Sequence, residues 1–237
     1  MKFIKNIKKR IENAVIERRK RQKYLKATSK LASYVEDLHN QSDDEGALEI
    51  LNTTWQKEYH FLQIPHSEAR FISLLVKALK SPKVLELGTF RGWSAVFIAR
   101  FLDDGASLIT IDHDERIKED AIGLWQVLGL GEKIEFRKEK ALDALRNLRA
   151  EGEVFDLIFV DAEKSEYMEY VDLAFEILND KGIMLVDNVL WAGLVANSNP
   201  SNNGAKYMKE FNDYVFKRFG TSACLIPAWD GVVMIVK

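Results

Sequence analysis

From residue 83 onward, short apolar runs alternate with longer stretches of helical periodicity, and this alternation constrains the fold more than any other feature. The runs that read as strands are Val84–Leu87, Ser107–Ile111, Lys133–Phe136, Phe155–Val160 and Gly182–Val186. Helices are expected at about 92–102, 115–128, 141–149, 166–178 and 204–219. A strand, a crossover helix and a second strand form a right-handed unit, and repeated units build a mostly parallel sheet with helices on both faces. The end of the chain breaks this rhythm. Ala223–Ile226 and Val232–Val236 flank Pro227-Ala-Trp-Asp-Gly231, a hairpin-like finish. The expected class is α/β: a doubly wound, mostly parallel sheet with an antiparallel last strand.

Of the 237 residues, 47% are hydrophobic and 30% charged, with 13 Gly and 4 Pro. That balance supplies a sizeable core and excludes collagen-like, low-complexity or largely disordered chains. The longest unbroken apolar stretches, such as Ile183–Val186 and Val232–Val236, are about five residues, whereas a membrane-spanning helix needs roughly 20. The single cysteine, Cys224, excludes an intrachain disulfide and a cysteine-based zinc cluster. It points to a reducing compartment, the cytoplasm.

The net charge of −2 hides an asymmetry. Residues 1–30 carry 12 Lys+Arg against 2 Asp+Glu, and the remaining residues carry 22 against 34. Phe3, Ile4, Ile7, Ile11, Ala14 and Val15 recur at helical spacing within this basic tail, which reads as an amphipathic helix. It can contact RNA phosphates, a membrane surface or a partner subunit, or it can be a solvated helix with one side packed on the body. It lacks the apolar core of a secretory signal, and Glu12 and Glu17 interrupt the run expected of a transit peptide. Residues 30–60 read as polar and helical, with a break near Asn40–Gly46 and a helix start at Ser42-Asp-Asp-Glu45. A further helix follows Pro65, with Phe71, Leu74, Leu75 and Leu79 on one face. The chain is thus divided into a basic helical N-terminal extension, residues 1–60, and one domain, residues 61–237.

An open α/β sheet takes its ligand outside the carboxyl ends of its strands. The first strand ends in Glu86-Leu-Gly88-Thr-Phe-Arg-Gly92-Trp-Ser94. Its glycines allow a tight turn and close approach to a ligand, though a purely structural turn carries the same signature. Asp112 ends the second strand, where an acid can bond both hydroxyls of a ribose or cap a helix. The two features together point to a nucleoside-containing cofactor. The fourth strand ends in Asp161-Ala-Glu163-Lys164 and the fifth in Asp187-Asn188. These strands are neighbours in a doubly wound sheet, so Asp161, Asp187 and Asn188 can converge. Three oxygen ligands with open positions suit a hard divalent ion.

Three segments carry a family resemblance. Val84-Leu-Glu-Leu-Gly-Thr-Phe-Arg-Gly-Trp-Ser-Ala95, Phe159-Val-Asp-Ala-Glu-Lys-Ser-Glu-Tyr167 and Leu185-Val-Asp-Asn-Val-Leu-Trp-Ala-Gly193 resemble, in order, motifs of the metal-dependent catechol and caffeoyl-CoA O-methyltransferases. Phe211-Asn212, the Pro227–Gly231 segment and Ile64-Pro-His-Ser-Glu68 followed by Phe71-Ile-Ser-Leu-Leu75 fit the same family. The match spans about residues 61–237. It implies a Rossmann-like fold, a homodimer and S-adenosylmethionine as cofactor. By resemblance, Glu86, Gly88, Phe90, Ser94, Asp112, Ala141 and Asp161 would hold that cofactor, with Asp112 on the ribose and Ala141 beside the adenine. Asp161, Asp187 and Asn188 would bind the divalent cation, Mg²⁺ first, with Ca²⁺ or Mn²⁺ as alternatives. Lys164 would be the catalytic base.

The chemistry is consistent with those roles. Methyl transfer from a sulfonium is an in-line displacement by oxygen, and a neutral hydroxyl is a poor nucleophile. A divalent ion on two adjacent acceptor oxygens lowers the hydroxyl pKa and fixes its direction. Positive charge beside Lys164 would depress its pKa and make it a usable base. The alternative for Lys164 is a surface ion pair with Glu163 or Glu166. The chain departs from the family at Trp93, where Tyr is usual, and at Glu139-Lys140, where Gly often precedes the adenine-site Ala. Plant caffeoyl-CoA enzymes have Asp where Glu163 stands and Asn where Ala192 stands, which argues against a strict plant-type substrate.

The remaining candidates read as structural. His39, His60, His66 and His113 form no ligand pair, although His66 falls near the substrate side. Cys224 is expected to be buried in its strand. Trp55 and Trp125 belong to core or interface, and Trp191 and Trp229 lie where they could stack a planar acceptor. The leading function is divalent-metal-dependent methylation of a small catechol-like or vicinal-hydroxyl acceptor. The alternative is methylation of a hydroxylated tRNA base (5-hydroxyuridine type), with the basic tail holding RNA. A third reading, an inactive cofactor-binding protein, conflicts with the joint presence of Asp161, Lys164, Asp187 and Asn188.

Overall fold

The structure, a computed structural model, describes residues 29–39, 63–114, 118–198, 200 and 202–237. The chain divides into two compact units, Met1–Asp44 and Glu45–Lys237. In the first, residues 29–39 form a helix, α1. The basic tail, the break near Asn40–Gly46, the boundary drawn at 60/61, Trp55 and His60 lie outside the described residues. Among those described, no helix is long and apolar enough to cross a membrane.

The second unit runs α2 (His66–Ala78), β1 (Lys83–Leu87), α3 (Trp93–Ala99), β2 (Ser107–Asp112), α4 (Lys118–Val127), β3 (Ile134–Lys138) and α5 (Ala141–Ala150). It continues β4 (Phe155–Val160), α6 (Tyr167–Glu176), β5 (Leu178–Val186), α7 (Asn203–Phe219), β6 (Ala223–Ile226) and β7 (Val232–Val236). These strands form one sheet in the order β3-β2-β1-β4-β5-β7-β6. The first five are parallel, and β7 inserts antiparallel between β5 and β6. The α/β class and the antiparallel finish therefore stand as expected. The strand order reverses between β1 and β4, and a ligand crevice opens there in folds of this type.

The central strands are apolar on both faces because helices cover both faces. Leu85, Leu87, Ile158 and Val160 pack on the side of α5, α6 and α7. Val84, Leu108, Leu157, Phe159 and Leu185 pack on the side of α2, α3 and α4. Glu86 alternates onto the second side with Val84, a fully buried acid in an apolar layer.

Three local expectations are corrected. On α2, the buried set is His66, Ser67, Glu68, Ala69, Ile72, Ser73 and Val76, while Leu74 is 53% exposed. Small residues let this helix approach α3, and the Ser73 hydroxyl lies 2.7 Å from the Ala69 carbonyl and 2.9 Å from that of Phe97. The strand β5 begins at Leu178, not Gly182. Phe155 pairs with Leu178 and Leu157 with Ile183, so a bulge containing Lys181 (φ 66°) absorbs the extra residues. Cys224 is exposed, since β6 is the edge strand.

Candidate active site

A cavity of about 930 Å³ opens at the carboxyl ends of β1, β2, β4 and β5, within the size range of small-molecule clefts. Its walls begin at the turn after β1. Gly88 has φ +100°, and a Cβ there would stand 2.0 Å from the Asp161 carbonyl oxygen. Only glycine fits, because the ends of β1 and β4 are drawn together by the Asp161 N–H bond to the Leu87 carbonyl (2.9 Å). Gly92, at φ +73°, meets the Trp125 ring in the same way, with a Cβ position 2.8 Å from it. Phe90 adopts φ 45°, and its N–H donates to Asp112 Oδ2 at 3.0 Å. The Asp114 N–H donates to Oδ1 at 3.0 Å. Asp112 therefore organises the turn after β2 and lines the cavity.

Ala141 lines the same cavity at the start of α5, beside Glu139 and Lys140. Glu86 and Ser94 do not line it. Both are buried. Glu86 Oε2 accepts from the Thr110 hydroxyl at 2.5 Å, Thr110 meets Thr89 at 2.7 Å, and Glu86 Oε1 has no partner. Burial pushes the Glu86 carboxyl up to about 7, against the pull of the Ser94 and Thr110 hydroxyls.

The other end of the cavity is acidic. Val160 pairs with Val186, which sets Asp161 beside Asp187 at the ends of adjacent strands. The Asp187 carboxylate accepts from the Asn188 N–H (2.6 Å) and the Asn188 amide (2.9 Å). Asn188 has φ 60°, and Trp191 and Ala192 in the following turn also have positive φ. Such strained backbone clusters at functional sites. The Lys164 ammonium pairs with Asp161 and donates to the Tyr167 hydroxyl at 2.6 Å. Glu163 instead accepts from Ser165, and Glu166 from the Tyr170 hydroxyl, so the alternative pairing of Lys164 with either glutamate is not the one formed. The partners of Lys164 are a carboxylate and a phenol.

Two acids in this wall escaped the sequence reading as site residues. Glu68 reaches the cavity from the first turn of α2, and Asp230 from the segment before β7. An acid in a first helical turn looks like an ordinary partner of the helix dipole, and Asp230 looks like a turn residue. Only tertiary packing reveals either. Burial, and then the charge of Asp187, drive the Glu68 carboxyl far above its usual range. Burial and Asp161 raise Asp187, opposed by the Asn188 N–H and Lys164. Burial also raises Asp230, whose Oδ1 accepts from the Ala192 N–H at 2.5 Å.

The chemistry of these donors, carboxylate and amide oxygens, is the kind that suits a hard divalent cation. Glu68, Asp161, Asp187 and Asp230 crowd one end of the cavity with Lys164 as the neighbouring ammonium, and Glu68 Oε1 is buried without a partner. Among the described residues, no three His, Cys, Asp or Glu side chains form a ready ligand group. The third oxygen donor expected from the sequence, the Asn188 amide, is adjacent, its NH2 donating to Asp187 Oδ2.

The aromatic and histidine candidates divide. Trp191 lines the cavity and bonds Asn202 Oδ1 at 2.9 Å. Trp229 instead donates to the Ser67 hydroxyl (2.6 Å) and packs on Phe71. Trp125 is core. His66 is buried edge-on against Phe97 and is not among the residues that line the cavity, although Pro65 and Glu68 beside it are.

Comparison with known proteins identifies the family. A family model described as O-methyltransferase matches residues 39–237. The chain is 28% identical over 201 residues to caffeoyl-CoA O-methyltransferase 1 of Eucalyptus globulus, covering 81% of each. It is 27% identical over 209 residues to catechol O-methyltransferase of Niastella koreensis, covering 86% of this chain and 94% of that one. Among solved structures, the O-methyltransferase TomG from Streptomyces achromogenes, in complex with SAM, superposes with a TM-score of 0.71 at 26% identity, over 83% of this chain and 91% of that one. The SAH-bound methyltransferase PaMTH1 of Podospora anserina shares the fold, with a TM-score of 0.75 at 21% identity over 89% and 94%.

Proposed function

Since the chain belongs to the O-methyltransferase family, we propose that it transfers the methyl group of S-adenosylmethionine to a hydroxyl of a small catechol-like or vicinal-hydroxyl acceptor, with a divalent cation, Mg²⁺ first. The observation that carries this reading is one cavity with a ribose-competent acid, Asp112, at one end and the Asp161–Lys164–Asp187–Asn188 group at the other.

S-adenosylmethionine supplies an electrophilic methyl on a positively charged sulfur. Asp112, its carboxylate held by the Phe90 and Asp114 N–H groups, offers lone pairs to the ribose hydroxyls. Gly88 keeps the wall clear of side-chain atoms, Phe90 closes it, and Ala141 leaves room beside the base. Glu86 and Ser94 act from within the core, holding the β1 turn. A divalent ion on Asp161, Asp187 and Asn188 would engage adjacent acceptor oxygens and lower the hydroxyl pKa. Lys164, held by Asp161 and Tyr167, would take the hydroxyl proton at Nζ as the neutral amine and become the ammonium. Trp191 offers a flat face to a planar acceptor. Positioning oxygen and methyl in line supplies much of the acceleration. A homodimer in the cytoplasm belongs to the same reading, the latter supported by the single cysteine.

The test is transfer of labelled methyl from S-adenosylmethionine to a catechol panel, with Mg²⁺ and with EDTA. Transfer that requires Mg²⁺ supports the reading. Absence of transfer in protein that binds the cofactor favours the second reading, methylation of a hydroxylated tRNA base. The charge of residues 1–30, 12 Lys+Arg against 2 Asp+Glu, favours that alternative, and the acidic cavity wall opposes it. Deleting residues 1–30 should then abolish RNA binding at low salt.

A further inference from the structure

Trp191 lines the cavity from the turn that follows β5, shortly after Asn188. The backbone around it is fixed. The Trp191 N–H donates to the Asn188 carbonyl at 3.2 Å, the Leu190 N–H to the Asp230 carbonyl at 2.8 Å and the Ala192 N–H to Asp230 Oδ1 at 2.5 Å. The ring is held separately, by the start of α7. Its indole N–H donates to Asn202 Oδ1 at 2.9 Å, and the same oxygen accepts from the Ala205 N–H at 3.1 Å. Asn202 thus caps α7 and tethers the ring with a single atom. The ring also lies on Gly204, where a Cβ would stand 2.3 Å from Cζ2 and 2.5 Å from Cε2 of the indole. Gly204 is inside α7 and is not among the glycines with positive φ. Glycine is a poor helix former, so conformational freedom does not account for it here. The seat for the indole does.

We propose that Asn202 and Gly204 are positioning residues for Trp191, and that the ring they fix decides which of two adjacent hydroxyls of a planar acceptor receives the methyl group. The proposal rests on the acceptor reading above. When both oxygens of a catechol are held at the Asp161–Asp187–Asn188 end, two orientations remain, related by exchanging the oxygens. Each puts a different hydroxyl in line with the methyl, and each sends a ring substituent in a different direction. A wall that cannot move favours one of them, whereas a ring free to turn about its side-chain bonds accepts both. Trp191 is a wall of the first kind, backed by a helix and tethered at its N–H.

The test supplies S-adenosylmethionine, Mg²⁺ and protocatechualdehyde, a catechol with one substituent, and reads the ratio of its two mono-O-methyl products. A product ratio does not depend on the amount of folded protein, so loss of stability alone leaves it unmoved. The variants are Trp191→Phe, Gly204→Ala, Asn202→Ser and Asn202→Asp. Asn202→Ser keeps a helix cap but is too short to reach the indole, whereas Asn202→Asp keeps an oxygen for both donors. The expected ratio shifts by about threefold or more in Trp191→Phe, Gly204→Ala and Asn202→Ser, and stays within about 1.5-fold of wild type in Asn202→Asp. Cofactor affinity by calorimetry is unchanged in all four. An unmoved ratio in Asn202→Ser overturns the proposal, as does an equal shift in Asn202→Ser and Asn202→Asp. If Gly204→Ala does not fold, the two Asn202 variants decide alone. A second readout is independent of turnover: the fluorine NMR line of Trp191 in the cofactor-free chain labelled with 5-fluorotryptophan, identified by its loss in Trp191→Phe. It should move or broaden in Asn202→Ser and hold its place in Asn202→Asp, and an unchanged line in Asn202→Ser overturns the tether. A wild type that methylates no catechol overturns the acceptor reading and this proposal together. A wild type that methylates it, with one ratio across every variant, overturns this proposal alone.

Discussion

The Lys164 ammonium is paired with the carboxylate of Asp161, the residue that follows β4 and whose carbonyl crowds Gly88. The pair places Nζ at the acidic end of the cavity, where the proposed reading needs a proton acceptor. Lys164→Ala should lower kcat by about 10²–10⁴-fold, with cofactor affinity little changed. Lys164→Arg should fall as far, since a guanidinium can keep the ion pair but does not release its proton at neutral pH. The measurement is kcat with a catechol acceptor at saturating S-adenosylmethionine and Mg²⁺. An Arg variant within tenfold of wild type would remove the base role and leave Lys164 an electrostatic one.

Gly88 and Gly105 both have positive φ, +100° and +84°, yet their surroundings differ. A Cβ at Gly88 meets backbone at 2.0 Å, and at Gly105 nothing lies within 4 Å. Gly105→Ala should cost only its backbone strain, about 1–2 kcal/mol. Gly88→Ala must also part β1 from β4 and should cost more than about 3 kcal/mol. Urea unfolding of the two variants compares them directly, and equal losses would show that the close approach at Gly88 is soft.

The parts of this molecule that were legible in sequence are those set by local spacing. Leu85, Leu108, Leu157 and Leu185 sit in strands buried on both sides, so their segments read as continuous apolar runs. Asp161 and Asp187 follow two such runs, and parallel pairing of β4 with β5 brings them together without further information. The expected face of α2 is off by a rotation: Leu74 is exposed, Phe71 and Leu75 pack only at the margin of the core, and the buried stripe runs through Ala69, Ile72, Ser73 and Val76. Ala69 and Ser73 are buried because small side chains allow close approach to α3, and hydrophobicity does not record that. Glu86 was legible as a motif residue but not as a core residue, since depth beneath a cavity is a tertiary property. Glu68 and Asp230 join the site from opposite ends of the domain, and no local pattern connects them to Asp187.

Asp187 is held by Asn188 through two hydrogen bonds, and Lys164 is paired with Asp161 instead. Asp187→Ala should reduce Mg²⁺-dependent turnover by about 100-fold or more, because one of three oxygen donors is gone. Asp112 and the Gly88 turn are untouched, so S-adenosylmethionine should still bind. Calorimetry for the cofactor and a methyl-transfer assay across a Mg²⁺ series separate the two effects. Turnover that remains at the wild-type level would sink the cation assignment.

Glu86 gives a pH dependence with a definite sign. Burial raises its carboxyl from 4.5 to about 7 in the folded protein, the hydroxyls of Ser94 and Thr110 offsetting part of the effect. Between those two values the folded chain holds a proton that the unfolded chain has lost. Stability therefore falls as pH rises from about 4.5 to about 7 and then levels, a total of about 3 kcal/mol from this group. Below pH 4.5 both states are protonated and the penalty vanishes. Glu86→Gln removes the ionisation while keeping an oxygen for Thr110 and placing an amide where Oε1 has no partner. The difference between variant and wild type should be small at pH 4.5 and grow to about 2–3 kcal/mol in favour of the variant at pH 8. Urea unfolding of the cofactor-free protein at pH 4.5, 6, 7 and 8 measures that difference. Two stability curves running parallel across the range would mean that Glu86 ionises alike in the folded and unfolded chains.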